Sequence, residues 1–269
     1  MTKLIMITTL SLGDGQPKIC VPLTGGTAEE LFQEAEKIKE AGADLAEWRA
    51  DFYEDLSDTD RLVKTMGGIA GILSGIPLLF TVRTEKEGGK AGISPEEYES
   101  INLAAARSGF ADLVDVEIFS CGRSEELIRR LQEAGVKVVG SSHDFQKTDS
   151  REVLLERFKK MDGTGADILK MAVMPDEFDD VAAIMQVTSE MVHKYTDRPV
   201  ISMAMGGLGS ISRIAGENFG SAVTFATVGV ASAPGQFPIQ ELRTMMEVLH
   251  QKNIMSEFHE KFWDITTLF

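Results

Sequence analysis

Short runs of β-branched and aliphatic residues alternate along the chain with longer, more charged stretches in which apolar residues recur every three or four positions. The short runs predict buried strands and the longer stretches amphipathic helices, so the rhythm predicts a parallel sheet built from repeated βα units. The predicted strands are Lys18 to Leu23, Asp44 to Asp51, Pro77 to Arg83, Leu113 to Phe119, Lys137 to His143, Asp167 to Val173, Pro199 to Met205 and Val223 to Thr227. Eight such units imply an α/β fold of the (β/α)8 barrel type. Ala28 to Ile38 and Glu125 to Leu131 read as outer-ring helices, with acidic residues toward their N-terminal turns. Ahead of the first unit, Leu4 to Leu10 followed by Gly13-Asp14-Gly15 predicts an N-terminal β-hairpin lidding the N-terminal mouth of the barrel. At the other end Ile254, Phe258, Phe262, Ile265 and Phe269 recur at spacings of three and four. Residues 253–269 are therefore expected to be a C-terminal helical extension of one barrel domain spanning 1–269, its stripe covered by the barrel or by a second subunit.

Composition narrows the classes. A chain of 269 residues, 43% hydrophobic and 26% charged, with no linker-like tract, can bury one large core. A net charge of −15 without any basic run disfavours nucleic acid and anionic membranes as partners. Attraction for an anionic ligand must then be local, which makes arginines near strand ends informative. Cys20 and Cys121 show no CxxC or Cys/His spacing and are expected to be free thiols rather than zinc or redox groups. Met1 to Leu12 has no convincing signal-peptide cleavage site, and the longest apolar region, Gly67 to Phe80, is interrupted by Gly and Pro77 and too short to span a bilayer. A cytoplasmic protein is expected.

Reactive groups of a (β/α)8 barrel gather at the C-terminal ends of its strands and in the loops that follow. Those positions carry Glu47, Arg49 and Asp51, then Arg83 and Glu87, Asp115 and Glu117, His143, Lys170, the loop from Gly206 to Arg213, and finally Ser232, Pro234, Gly235 and Gln236. Alternation places Glu47, Arg49 and Asp51 on one side of their strand, and Asp115 and Glu117 likewise, so both sets can face the barrel axis, where inward charges need partners. Lys170 lies within Ile168-Leu169-Lys170-Met171-Ala172-Val173. An ammonium in such an apolar strand end loses solvation, so its pKa is expected to fall and to release a nucleophilic amine. At an unperturbed pKa of about 10.4, fewer than roughly one lysine in a thousand is neutral at pH 7. The alternative is a lysine stem crossing an apolar layer to bring its ammonium to water or a carboxylate.

Several motifs occur together and in order: Glu47-Trp48-Arg49-Ala50-Asp51, Phe80-Thr81-Val82-Arg83 leading into Glu87-Gly88-Gly89, Asp115-Val116-Glu117, Ser141-Ser142-His143-Asp144, Lys170, Met205-Gly206 through Ser212-Arg213, and Ala233-Pro234-Gly235-Gln236. With these motifs the chain resembles the type I 3-dehydroquinate dehydratases of the shikimate pathway over roughly Lys18 to His250. Ser142 departs from the family, which has a larger polar residue before the histidine. The resemblance implies a carbon–oxygen lyase that converts 3-dehydroquinate to 3-dehydroshikimate without metal or other cofactor, and a homodimer. It further implies that Lys170 forms an imine with the substrate ketone and that His143 moves the protons. Glu87 is expected to hydrogen-bond one nitrogen of His143, the alternative being an exposed loop carboxylate. Arg213 suits the substrate carboxylate. Arg49 and Arg83 either pair with Glu47, Asp115 or Glu117 or touch substrate directly. Glu47, Ser232 and Gln236 suit ring hydroxyls, while Met203, Met205 and Phe225 form an apolar wall that core packing would explain equally well. His193, His250 and His259 fall outside this site.

Three rivals are kept. A Schiff-base aldolase or transaldolase barrel would use the strand-six lysine and the glycine-rich loop to cradle a sugar phosphate. A metal-dependent barrel could cage a divalent ion with Glu47, Asp51, Asp115, Glu117 and His143, although Arg49 and Arg83 already supply positive charge there. A non-catalytic ligand sensor is the third, disfavoured because both Lys170 and His143 are present.

Overall fold

The computed structural model describes residues 2–13, 15–229 and 232–262, of which 255–262 are described by backbone alone. An antiparallel hairpin, β1 (Ile5–Ile7) and β2 (Leu10–Leu12), precedes eight parallel strands. These are β3 (Lys18–Leu23), β4 (Leu45–Arg49), β5 (Leu78–Thr81), β6 (Leu113–Glu117), β7 (Lys137–Asp144), β8 (Ile168–Val173), β9 (Val200–Ala204) and β10 (Val223–Thr227), each beside its sequence neighbour from β3 to β9 and with β10 returning to β3. A two-residue strand, β11 (Phe237–Pro238), adds to β10. The helices are α1 (Ala28–Glu40), α2 (Thr59–Leu73), α3 (Pro95–Arg107), α4 (Ser124–Glu133), α5 (Arg151–Gly163), α6 (Phe178–Glu190), α7 (Ser210–Ile214), α8 (Gly216–Phe219) and α9 (Ile239–Phe262). The fold is the expected (β/α)8 barrel with an N-terminal hairpin. Four predicted strands stop early: Asp51 lies in a 3-10 turn after β4, Arg83 lies past the end of β5, Phe119 past the end of β6 and Met205 past the end of β9.

Local chemistry sets the lengths of the units. Thr27 and Ser94 each accept the backbone N–H of a glutamate three residues on, and that glutamate accepts the cap's own N–H, closing reciprocal caps at the starts of α1 and α3. Such a cap is worth about 1 kcal/mol and starts the helix a few residues after the strand. At the N-terminal rim, Asp44, Asp112 and Asp167 reach back to the backbone N–H of Ile19, Leu78 and Val138, at 2.8, 2.8 and 3.0 Å. This repeated contact fixes the register of alternate strand pairs.

The outward faces of the strands pack under the helices around Trp48, Phe80 and Phe158. A second apolar layer fills the barrel interior, where Leu45, Leu79, Leu113 and Ile168 meet Ile5, Ile7 and Leu12 of the hairpin, so the hairpin stoppers the N-terminal mouth. Polar and charged side chains occupy the other end. Closure between β9 and β10 uses one bridge, Val200 to Ser221, with the Ala222 N–H on the Val200 carbonyl at 2.7 Å. Above it, hydroxyls replace the ladder: Ser221 Oγ accepts from Ser202 N–H at 3.2 Å, and Ser212 Oγ from Ala204 N–H at 3.0 Å.

Helix α9 runs unbroken through residue 253 to Phe262. Of the expected C-terminal apolar stripe, Ile254 is exposed; the side chains of Phe258 and Phe262, and all of Ile265 and Phe269, lie outside the described residues. Both cysteines are free. Among the described residues no helix is long and apolar enough to cross a membrane.

Candidate active site

Lys170 sits in the middle of β8, paired with Ser141 on β7 and Ile201 on β9, and its side chain turns into the upper barrel. It is buried, but its surroundings are not purely apolar. Nζ lies 3.2 Å from Glu47 Oε1 and 4.3 Å from the centre of the Phe225 ring. The apolar pocket expected from the flanking residues is thus completed by a carboxylate and an aromatic face, both contributed by other strands. Burial pushes the Glu47 carboxyl up, but Lys170, Arg49 and Arg83, with the Thr81 hydroxyl, outweigh it and hold the group below the usual range. Glu47 is therefore an anion at neutral pH.

His143 is the penultimate residue of the adjacent strand, β7. Glu87 Oε2 faces both its Nδ1, at 3.0 Å, and its own backbone N–H, at 2.9 Å. A carboxylate is an acceptor, so this network assigns the ring proton to Nδ1 and leaves Nε2 a free base. Burial, reinforced by Arg83, Lys170 and Arg49, holds the imidazole well below its usual pKa, so His143 is neutral at pH 7. Glu87 is pushed up to about 7 by burial; Arg83 opposes the shift and Glu117 adds to it. Glu87 is 5% exposed, not a loop carboxylate in water.

The two arginines of the early strands are held by protein carboxylates. Arg49 grips Asp51 through two hydrogen bonds, Nε at 2.7 Å and Nη2 at 2.8 Å, and stacks over Phe52. Its partner is thus Asp51, not the expected Glu47, Asp115 or Glu117. Alternation already put Asp51 on the side of Arg49, and the 3-10 turn after β4 keeps its carboxylate within reach of the guanidinium. Asp51 also accepts the backbone N–H groups of Lys90 and Arg83, tying the loop after β5 to the end of β4. Arg83 contacts Asp115 at 2.8 Å, Glu117 at 3.0 Å, Ser141 Oγ at 3.1 Å and Glu87 at 3.5 Å. Burial alone would lower its pKa, but Asp115, Glu117 and Glu87 raise it well above the ordinary value. Glu47, Asp51, Asp115 and Glu117 therefore each already hold a cationic side chain, which leaves little of the oxygen-rich cage that a divalent ion would need.

Arg213 differs. It is 1% exposed, and among the described residues Nη1 meets only the Met203 sulfur at 3.5 Å, Nη2 donates to the Pro234 carbonyl at 3.1 Å, and Nε has no partner. No carboxylate pairs with it among the described residues, and burial alone lowers its pKa to about 10. It remains a cation at neutral pH, with donors unused. Across from it, Gln236 and Ser232 hydrogen-bond each other, Nε2 to Oγ at 3.1 Å, and Gln236 Oε1 accepts the Ser232 N–H at 2.9 Å. The Pro234 carbonyl also takes the Gly206 N–H at 3.2 Å. Gly235 comes so close that a Cβ there would lie 2.2 Å from the Gly206 oxygen, so this contact between the last two loops requires glycine.

These groups open on one cavity at the C-terminal mouth. Lys170, His143, Glu47, Arg49, Arg83, Arg213, Ser232, Gln236, Met203, Met205 and Phe225 all line it, and Glu87 stands behind His143. Phe145, Ala172 and Ala233 line it too and were missed. Ala172 follows Lys170 by two on the same strand, so alternation carried that signal; Phe145, alone in a loop, had none. His193 and His250 are away from the cavity, on Ser189 and Glu217 respectively, and the side chain of His259 lies outside the described residues.

A family model described as Type I 3-dehydroquinase matches residues 19–253. The chain is 44% identical over 255 residues to a 3-dehydroquinate dehydratase of Bacillus licheniformis, covering 93% of this chain and 99% of that one. It is 43% identical over 250 residues to the Klebsiella pneumoniae protein of the same name, with 93% and 100% covered. Among solved structures it is similar to the type I 3-dehydroquinate dehydratase of Clostridium difficile with covalently modified comenic acid, at a TM-score of 0.90 and 38% identity over 94% of this chain and 100% of that one. The 3-dehydroquinate dehydratase of Geobacillus kaustophilus also gives a TM-score of 0.90, at 40% identity over 93% and 97%.

Proposed function

The chain belongs to the type I 3-dehydroquinase family and is a hydro-lyase acting on 3-dehydroquinate, and from that premise we propose that it works through an imine on Lys170 with His143 as general base and acid. The observation that carries this reading is one cavity holding a buried amine, a neutral imidazole oriented by a carboxylate, and a buried guanidinium without a carboxylate partner among the described residues. Arg213 has the charge and the free donors to take the substrate carboxylate, which fixes the ring. The unprotonated Lys170 amine then attacks the ketone carbon, and loss of water leaves an iminium.

The iminium draws electrons from the neighbouring carbon, so the weak base Nε2 of His143 can remove a C–H proton there. The electron pair forms an enamine and then expels the hydroxyl on the next carbon, while the imidazolium returns its proton to the departing oxygen as water. Water then hydrolyses the iminium, releasing 3-dehydroshikimate and the amine. Glu87 supports the imidazolium through Nδ1 without leaving its place. Glu47, Ser232 and Gln236 supply polar atoms for the remaining hydroxyls, and Met203, Met205 and Phe225 the apolar floor.

The reading is tested by 3-dehydroquinate turnover in variants: Lys170→Ala and His143→Ala should each lose nearly all activity, and only the histidine variant should still form a reducible adduct. Wild-type activity in either variant contradicts the assignment. An aldolase would instead require a phosphorylated sugar, and no such requirement is expected. We also propose a cytoplasmic homodimer; light scattering giving the monomer mass at assay concentration contradicts the dimer.

A further inference from the structure

We propose that Ser120 is a positioning residue for this reaction, holding Glu87 in the ionised state and orientation that His143 requires. The inference rests on the reading of His143 as the base. Ser120 lies in the loop after β6, half-buried on the wall of a separate groove that runs behind the cavity between the barrel rim and α5. Its Oγ donates to Glu87 Oε1 at 2.9 Å, on the side of the carboxylate opposite to His143, which occupies Oε2. The serine is thus first in a line running from groove to cavity: hydroxyl, carboxylate, imidazole.

The protonation of Glu87 is finely balanced by what surrounds it. From the end of β5 Arg83 favours the anion, while Asp115 and Glu117 of β6 favour the neutral acid; Cys121 lies in the same loop as Ser120, and His143 is on β7. Across the groove α5 presents two acids, Glu152 and Glu156, and two bases, Arg157 and Lys160, with Lys86 and, at the end of β7, Asp144 on the near wall. Arg83 is divided among several acceptors, and its contact with Glu87 is the longest, at 3.5 Å. The Ser120 hydroxyl is therefore the short side-chain donor on the outer face of Glu87, and a hydrogen bond to a carboxylate favours its ionised form.

Losing that donor has a chemical consequence. A protonated Glu87 becomes a donor to Nδ1, which forces the imidazole proton onto Nε2, and that tautomer cannot accept a proton from carbon. Ser120→Ala should therefore move the acid limb of the kcat–pH profile upward by about one pH unit. On the acid side kcat should fall about tenfold, recovering at alkaline pH, with KM unchanged. Ser120→Thr, which keeps the hydroxyl, should retain the wild-type profile.

The test is 3-dehydroquinate turnover against pH for the wild type and both variants, with borohydride trapping of each in parallel. An unchanged midpoint in Ser120→Ala, a loss equal at every pH, or failure of threonine to restore the profile overturns the role of Ser120. If the wild type dehydrates the substrate but cannot be trapped on Lys170, the underlying reading of the site has failed instead, whatever Ser120 does.

Discussion

Replacing Arg213 by methionine should make the free protein more stable and the enzyme far worse. Burial without a carboxylate partner takes the guanidinium down to about 10, a drop from its ordinary value equivalent to roughly 3 kcal/mol of lost solvation. Its contacts, a sulfur at 3.5 Å and one carbonyl at 3.1 Å, offset little of this, and Nε is unsatisfied. An apolar side chain of similar length removes the penalty, and replacing buried charges in this way stabilises by about 1 to 4 kcal/mol when it does so at all. For 269 residues, an unfolding entropy of about 2.1 cal/mol/K per residue makes each kcal/mol worth about 2 °C. Arg213→Met should thus raise the Tm of the ligand-free protein by up to about 5 °C in differential scanning calorimetry. Without the charged fork for the substrate carboxylate, kcat/KM should fall by a factor of about 30 to several thousand, the equivalent of 2 to 5 kcal/mol. The thermal shift given by a carboxylate-bearing ligand should vanish with it. A lowered Tm together with kcat/KM within about threefold of wild type would refute the reasoning, because it would show Arg213 to be a structural residue already satisfied by its protein partners.

Other outcomes follow from the same geometry. Wild-type kcat should decline as the pH falls through about 7, where Glu87 takes up its proton; a profile flat down to the ordinary carboxylate range contradicts this. Glu87→Gln should remove that limb and lower kcat by about 100-fold or more, because an amide can hold the imidazole in the wrong tautomer; activity close to wild type contradicts it. At the barrel seam, Ser212→Ala strips the buried Ala204 N–H of its acceptor and should cost about 1 to 3 kcal/mol, a fall in Tm of about 2 to 5 °C. No change in a thermal melt would mean that β9 finds another partner.

Where the sequence was legible, a periodic physical constraint was at work. All eight barrel strands follow from alternation between apolar runs and helical spacing, because every strand must bury both faces and every helix one. The hairpin was expected, but its turn falls at Thr8-Thr9, inside the stretch Leu4 to Leu10 that reads as one strand, and not at the glycines that follow. The site followed from combining strand ends with the family motifs, since the barrel brings all strand C-termini to one mouth whatever the loops do. The limits are equally physical. Arg49 was expected to pair with Glu47, Asp115 or Glu117, yet it grips Asp51, because Lys170 and Arg83 hold the other three carboxylates while the 3-10 turn after β4 keeps Asp51 within reach of the guanidinium. The partial closure between β9 and β10 depends on Ser212 and Ser221 hydroxyls standing in for backbone groups, which no periodicity reveals. Phe145 and Ser120 are single residues in loops, identified only by what they touch. Lys170 was placed correctly in an apolar strand, but Glu47, which meets it from 123 positions away in the chain, is visible only after folding.

The central claim is that the Lys170 amine bonds covalently to the substrate. Incubation with 3-dehydroquinate and borohydride, followed by peptide mapping in a mass spectrometer, should yield a reduced adduct on Lys170 and none in Lys170→Ala. Full dehydratase turnover with Lys170 left unlabelled, or with alanine in its place, would contradict the account.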